Sequence, residues 1–188
     1  DRETVINIDN YLRKVVSYKD KVSNAHNSYG ALINGYAVCE GYARAFKLLC
    51  DKVGIPALVI IGEADFGLAP QKLFGADLVV NNINYNHAWN IVYVDGEWYH
   101  FDTTWNDTLG ESKYRFISDA EIRKDHKFDN KYLDEIIALL YGKGVDTYTG
   151  VKVNTMGYNI KESAFNLSDI NSIEDIPVWF WYVLIGLV

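Results

Sequence analysis

The dipeptide Asp95-Gly96, set between the apolar-rich runs 88–94 and 97–104, constrains the fold of this chain more than any other feature. Asp-Gly is favoured in the type I′ turn, whose twist matches that of the two strands it joins. A two-residue turn also fixes register: Val94 faces Glu97, Trp89 lies opposite Asp102 and His87 opposite Thr104. Residues two apart on a strand share a face. His87 and Asp102 therefore become diagonal neighbours on one face, with α-carbons roughly 7 to 8 Å apart. A carboxylate there can accept a hydrogen bond from the imidazole, whereas a turn one residue longer would separate them onto opposite faces.

The strongest helical signal runs from Cys39 through Tyr42, Ala43, Phe46, Leu49, Cys50 and Val53, and closes on Gly54-Ile55-Pro56 with a C-cap glycine and a breaker. Val5, Ile8, Leu12 and Val15-Val16 predict a second amphipathic helix ending near Val16. Residues 17–34 read as a polar, turn-rich loop and 57–62 as a β-branched strand. The stretch 63–86 is too irregular to assign. Tyr114 to Ile117 suggests a further strand, 119–123 a helical turn, and 132–141 a helix capped by Gly142. No internal repeat is present.

Aromatic and aliphatic residues are plentiful: 49% of the 188 residues are hydrophobic, with 14 Tyr, 8 Phe and 5 Trp. That excludes disorder and supplies one well-filled core with an appendage. A net charge of -7 with no basic stripe argues against nucleic acid as a partner. Cys39 and Cys50, on one helix, would lie roughly 16 Å apart, beyond disulfide reach. Both thiols are expected to be free.

A thiol attacks a carbonyl as thiolate, which an imidazole and a helix N-terminus both stabilise, while a carboxylate fixes the imidazole's tautomer. Cys39 at the mouth of its helix, His87 and Asp102 supply those groups in that order. Buried cysteines are ordinarily small hydrophobes, and Cys50 on the apolar stripe is read that way. Cys39 differs because Gly41 lets another backbone approach closely and the first helical turn carries free N–H groups. His100 shares a face with Asp102 and is a rival to His87. His26 and His126, in polar surroundings, are expected to be solvated. His87, His100 and Asp102 could converge, but no Cys-x-x-Cys or His-Glu-x-x-His run accompanies them, so neither metal nor cofactor is expected.

Three segments, Tyr29-Gly-Ala-Leu-Ile-Asn-Gly-Tyr-Ala-Val-Cys39-Glu-Gly-Tyr-Ala-Arg-Ala-Phe, Asn86-His87-Ala-Trp-Asn90 and Trp98-Tyr-His-Phe-Asp102-Thr-Thr-Trp105, resemble the transglutaminase-like superfamily, in its bacterial core-domain branch. The resemblance spans roughly residues 5 to 130. It implies a papain-like α+β fold with the nucleophile at a helix N-terminus packed on an antiparallel sheet, Cys39 as nucleophile, His87 as base and Asp102 as orienting acid. The superfamily includes cross-linkers, peptidases, amidases and inactive members, because a thioester can be resolved by water or by an amine.

The function expected from this reading is thiol-dependent acyl transfer or hydrolysis on a peptide or protein amide, leaning to hydrolysis because no calcium-binding pattern is visible. The Cys39 N–H would give one oxyanion donor. Tyr29 and Asn34 are candidates for a second from position alone, and Trp89 is a further oxyanion or substrate-side candidate. The alternatives are a catalytically silent binding module at a cell surface, and an interaction domain in which Cys39 is merely core. The stretch 63–86 is expected to form a lid or a substrate-selecting wall.

The core is expected to occupy 1–145, followed by an extension over 146–188. Its charge-free end, 178–188, falls short of the roughly 18 to 20 residues that span a bilayer. It reads either as buried core or as the first half of a membrane helix. Asp1 opens on a charged stretch, so a targeting segment is expected to be absent or already removed. An extracellular or envelope-attached location is expected, with membrane contact through the C-terminus.

Overall fold

A computed structural model describes residues 1–64, 78–80, 83–130 and 133–141. The chain divides into two compact units, Asp1–Asp129 and Asn130–Val188. In the second, helix α5 spans Leu133–Tyr141. The expectations for 146–188 and for the cap at Gly142 lie outside the described residues, as do residues 65–77 and 81–82 of the stretch 63–86 expected to form a lid or wall.

The first unit is α+β, as expected. Helix α1 (Arg2–Val15) buries Val5, Ile8 and Leu12. Two short parallel strands follow, β1 (Ser17–Tyr18) and β2 (Tyr36–Ala37), separated by a π-helical turn at Gly30–Asn34. The stretch expected to be a plain loop is thus partly ordered by backbone pairing. Helix α2 (Cys39–Lys52) ends as its sequence demands. Gly54 takes the left-handed conformation with φ 76°. The Ile55 N–H then reaches the Cys50 carbonyl at 3.0 Å, and the Gly54 N–H reaches that of Asp51 at 3.2 Å. This closure satisfies carbonyls that a helix end otherwise strands.

The main sheet is antiparallel and four-stranded, in the order β7-β6-β3-β8, from β3 (Ala57–Ala64), β6 (His87–Val94), β7 (Glu97–Phe101) and β8 (His126–Lys127). Between β3 and β6 run β4 (Leu78–Val80) and β5 (Ile83–Tyr85), an antiparallel pair where the sequence allowed no assignment. The hairpin register is the expected one, with Val94 opposite Glu97 and Asn90 opposite Phe101. Asp95 and Gly96 both take positive φ, 55° and 84°, as a type I′ turn requires.

The second hairpin strand is shorter than expected. It stops at Phe101, and Thr103-Thr104 belong to helix α3 (Thr103–Thr108). Asp102 is that helix's N-cap, and its side chain accepts the Trp105 N–H at 3.0 Å. The β-branched threonines favour strand locally, but an Asp N-cap followed by a satisfied first turn outweighs that preference. Helix α4 (Asp119–Ile122) follows, and the expected strand at 114–117 is reduced to one antiparallel bridge between Ile117 and His100.

Helix α2 covers one face of the sheet. Phe46 stacks on Phe101 with centroids 4.9 Å apart, and Asn90 Nδ2 donates to the carbonyls of Ala43 on α2 and Leu58 on β3, each at 3.0 Å. Trp89 and His100 turn to the opposite face with Phe128 and His126. Because both faces are covered, β6 is buried almost throughout.

Candidate active site

Helix α2 opens on Cys39, whose preceding residue Val38 is extended and offers no side-chain cap. Gly41 does what its sequence position suggested: a β-carbon there would lie 2.3 Å from the Ala25 carbonyl oxygen and 2.8 Å from Ala37 Cβ. The loop before β2 and the first turn of α2 can therefore close on each other. Cys39 is 1% exposed. Burial pushes its thiol up to about 12, against the backbone N–H groups of Ala88 and Glu40, which favour thiolate; the carboxylates of Asp102 and Glu40 add to the rise. Burial drives Cys50 to about 12 as well. Intrinsic acidity thus does not distinguish the two thiols, although Cys39 has N–H donors at a helix mouth and Cys50 sits inside the helix. Both are free, as expected.

His87 begins β6, and its Nε2 lies 2.7 Å from Asp102 Oδ2. Asp102 is wholly buried. Burial alone would raise its pKa, but the imidazoles of His87 and His126 together hold the carboxyl well below the usual carboxylate range. An anionic Asp102 accepts from Nε2–H, which fixes the His87 tautomer and leaves Nδ1 with its lone pair. Nδ1 makes no hydrogen bond among the described residues, and the His87 side chain keeps 9% exposure. The structure brings His87 and Asp102 together, and it places no hydrogen bond between Cys39 and either of them among the described residues.

Two of the remaining histidines, His126 and His100, depart from expectation. His126 is 1% exposed instead of solvated, with Nε2 3.3 Å from Asp102 Oδ2 and Nδ1 2.6 Å from Asp125 Oδ1. Its position comes from β8, where Ala64 on β3 pairs with His126. A strand of two residues inside a charged run leaves no periodicity by which to find it. His100 is no rival to His87: its Nδ1 accepts the Trp89 indole N–H at 2.9 Å, and its Nε2 faces Asp119 at 3.3 Å. Burial lowers its pKa, so the ring favours the neutral form that this acceptance requires. His26 is half-exposed and pairs through Nδ1 with Glu40 at 2.9 Å.

Trp89 is not available as an oxyanion donor, because its N–H is given to His100 and the side chain is 1% exposed. Instead it stacks against His87, centroids 5.8 Å apart, and helps wall the ring. Asn34 gives its amide to the Tyr36 hydroxyl at 3.2 Å. Tyr29 is 55% exposed at the start of the π-helical turn.

His87, Asp102 and His126 bring ligand-type atoms within 4.8 Å of one another. Both rings, however, already address the same Asp102 oxygen, so the cluster is a hydrogen-bonded network around one carboxylate. Gly62 keeps β8 seated over that network. A β-carbon at 62 would sit 2.2 Å from the Lys127 carbonyl oxygen and 2.8 Å from Trp89 Cη2. Gly62→Ala should therefore displace β8 and cost about 2 kcal/mol or more, measured as a lower urea midpoint. An unchanged midpoint would mean that the β8 contact contributes little.

An α+β core with a cysteine-led helix on an antiparallel sheet, and a His–Asp pair at the sheet's end, defines a class. The chain belongs to the transglutaminase-like superfamily, whose family model matches residues 1–103. Kyphoscoliosis peptidase of Homo sapiens and that of Mus musculus are each 30% identical to it over 105 residues, covering 50% of this chain. The match spans only 15% of the length of those relatives. A solved structure of a candidate cysteine protease from Cytophaga hutchinsonii is 25% identical, covering 53% of this chain and 30% of that one with a TM-score of 0.40. A TGase structure is 17% identical, covering 72% and 31%, with a TM-score of 0.43.

Proposed function

We propose that this protein is a cysteine-dependent acyl-transfer enzyme acting on a peptide or protein amide, with Cys39 as nucleophile. The observation that carries the reading is the His87 ring, pinned through Nε2 to a buried anionic carboxylate and left with an Nδ1 that has no hydrogen bond among the described residues. Such a ring is a base with one free position. In this reading Nδ1 takes the Cys39 thiol proton, the sulfur bonds to the carbonyl carbon, and the proton passes to the departing amine. Water or a second amine then resolves the thioester, giving hydrolysis or transfer. Donation from the N–H groups of Ala88 and Glu40 to the sulfur offsets part of the burial that otherwise favours the neutral thiol at Cys39.

Iodoacetamide labelling read by mass spectrometry tests this directly. Alkylation should be confined to Cys39 and fall to the Cys50 rate in His87→Ala, while hydrolysis and amine incorporation assays on casein separate the two outcomes for the acyl group. Equal, slow labelling of Cys39 and Cys50 in the wild-type protein would sink the enzymatic reading. The near-complete burial of Cys39, with no bond to His87 among the described residues, favours the second reading in that case: a silent binding module on the same scaffold.

A further inference from the structure

His126 is a buried imidazole with a carboxylate at each ring nitrogen. Asp125 Oδ1 lies 2.6 Å from Nδ1, and Asp102 Oδ2 lies 3.3 Å from Nε2. A neutral imidazole has one N–H and one lone pair, so it can donate to only one of them. The other contact would set lone pair against lone pair where the ring is 1% exposed. An imidazolium donates to both.

The carboxylates are not obvious homes for the extra proton. Asp102 already accepts from His87 Nε2 through Oδ2 and from the Trp105 N–H through Oδ1. Asp125 accepts the Tyr114 hydroxyl through Oδ2 at 2.7 Å. The polar and titratable groups around the ring are thus His87 on β6, His100 on β7, Asp102 at the start of α3, and Asp125 with Tyr114 before β8. The two carboxylates bracket the ring at its nitrogens. The neighbouring imidazoles meet it through ring contact or charge.

We infer that His126 is held as an imidazolium between Asp125 and Asp102, and that it is a positioning residue for His87. By donating to the oxygen that receives His87 Nε2–H, it fixes where that oxygen sits and so sets the rotation of the His87 ring. Tyr114, Asp125, His126, Asp102 and His87 form one continuous hydrogen-bonded chain ending at the His87 ring. The bearing on catalysis rests on the thiol reading above, whereas the charge and the positioning do not.

Long-range proton–nitrogen correlation spectra of the imidazoles, recorded on the intact chain at neutral pH, test both parts. His126 should show two protonated nitrogens, and a ring with a single N–H would overturn the charge assignment. The His87 Nε2 proton should be protected from solvent exchange in wild type and in His126→Gln, which keeps a donor without the charge. In His126→Leu its exchange should rise at least about tenfold. Equal protection in the Leu variant, or equal loss in both variants, would overturn the positioning role. Iodoacetamide rates on the same samples report separately on Cys39. Slow labelling of the wild type with the expected spectra would therefore sink the thiol reading and leave this inference standing.

Discussion

Asp102→Ala should abolish the acyl-transfer activity proposed above and lower stability together, the largest combined effect expected of any single substitution in the first unit. The carboxylate takes three donors: His87 Nε2–H, His126 Nε2–H and the Trp105 N–H. Removing it strands all three in a buried layer and deletes the cap of α3. Lost caps cost about 1 kcal/mol, and each stranded buried donor costs about 1–3 kcal/mol. A loss of about 3 kcal/mol or more by urea denaturation is the expected result. Asp102→Asn separates the two effects. It keeps the shape and an acceptor but not the charge, so the fold should survive while the proposed activity drops by about 10⁴-fold through the wrong His87 tautomer. A fully active Asn variant would show that Asp102 does not orient the ring.

The same carboxyl predicts an acid limb. Its folded pKa lies below its unfolded value, so the stabilisation is fully present above the unfolded value of about 3.9. It is lost as pH falls below that value toward the folded one. Thermal midpoints of the wild type should therefore drop more steeply below about pH 4 than those of Asp102→Asn. Parallel curves would assign the acid limb to other carboxyls.

Arg115→Ala should be the most destabilising change away from the site. Asp9, on α1, has no exposed surface. It is held by Arg115 through Nε at 2.8 Å and Nη2 at 2.5 Å, with Asn106 Nδ2 at 3.4 Å and Arg13 at 3.6 Å. Asn106 also accepts the Tyr114 N–H at 2.9 Å, so the cluster ties α1 to the helix that Asp102 caps. Truncating Arg115 leaves a buried carboxylate with a more distant cation, at a cost of about 3–5 kcal/mol. Asp9→Asn should cost less, because Arg115 and Arg13 keep 16% and 20% side-chain exposure and can turn toward water. The order of the two urea midpoints decides the point, and the reverse order would mean that the arginine, not the carboxylate, is the group that burial penalises.

What could be read in advance was local. The Asp95-Gly96 turn dictates the register of its own strands because both central residues must take positive φ. That register places His87 and Asp102 within one hydrogen bond. The stripe from Cys39 to Val53 and the Gly54 closure define α2 for the same kind of reason, since periodicity and capping act within a few residues. The resemblance of three segments to the transglutaminase-like superfamily, now supported by the family match over residues 1–103, led to the α+β fold.

Other features required the assembled chain. The arrest of β7 at Phe101 depends on Asp102 choosing a helix cap over a strand continuation, a balance shifted by the two imidazoles and by the Tyr114 carbonyl that takes its N–H at 2.9 Å. The loss of Trp89 as a donor follows from His100 meeting its indole across the hairpin. His126 is the clearest case, since its burial comes from a two-residue pairing with a strand more than sixty positions earlier. Turns and helix stripes are set by neighbours in sequence, so sequence by itself determined them for this protein. Which carboxylate an imidazole finds across such a gap is decided by packing and desolvation, and only the tertiary structure carries those.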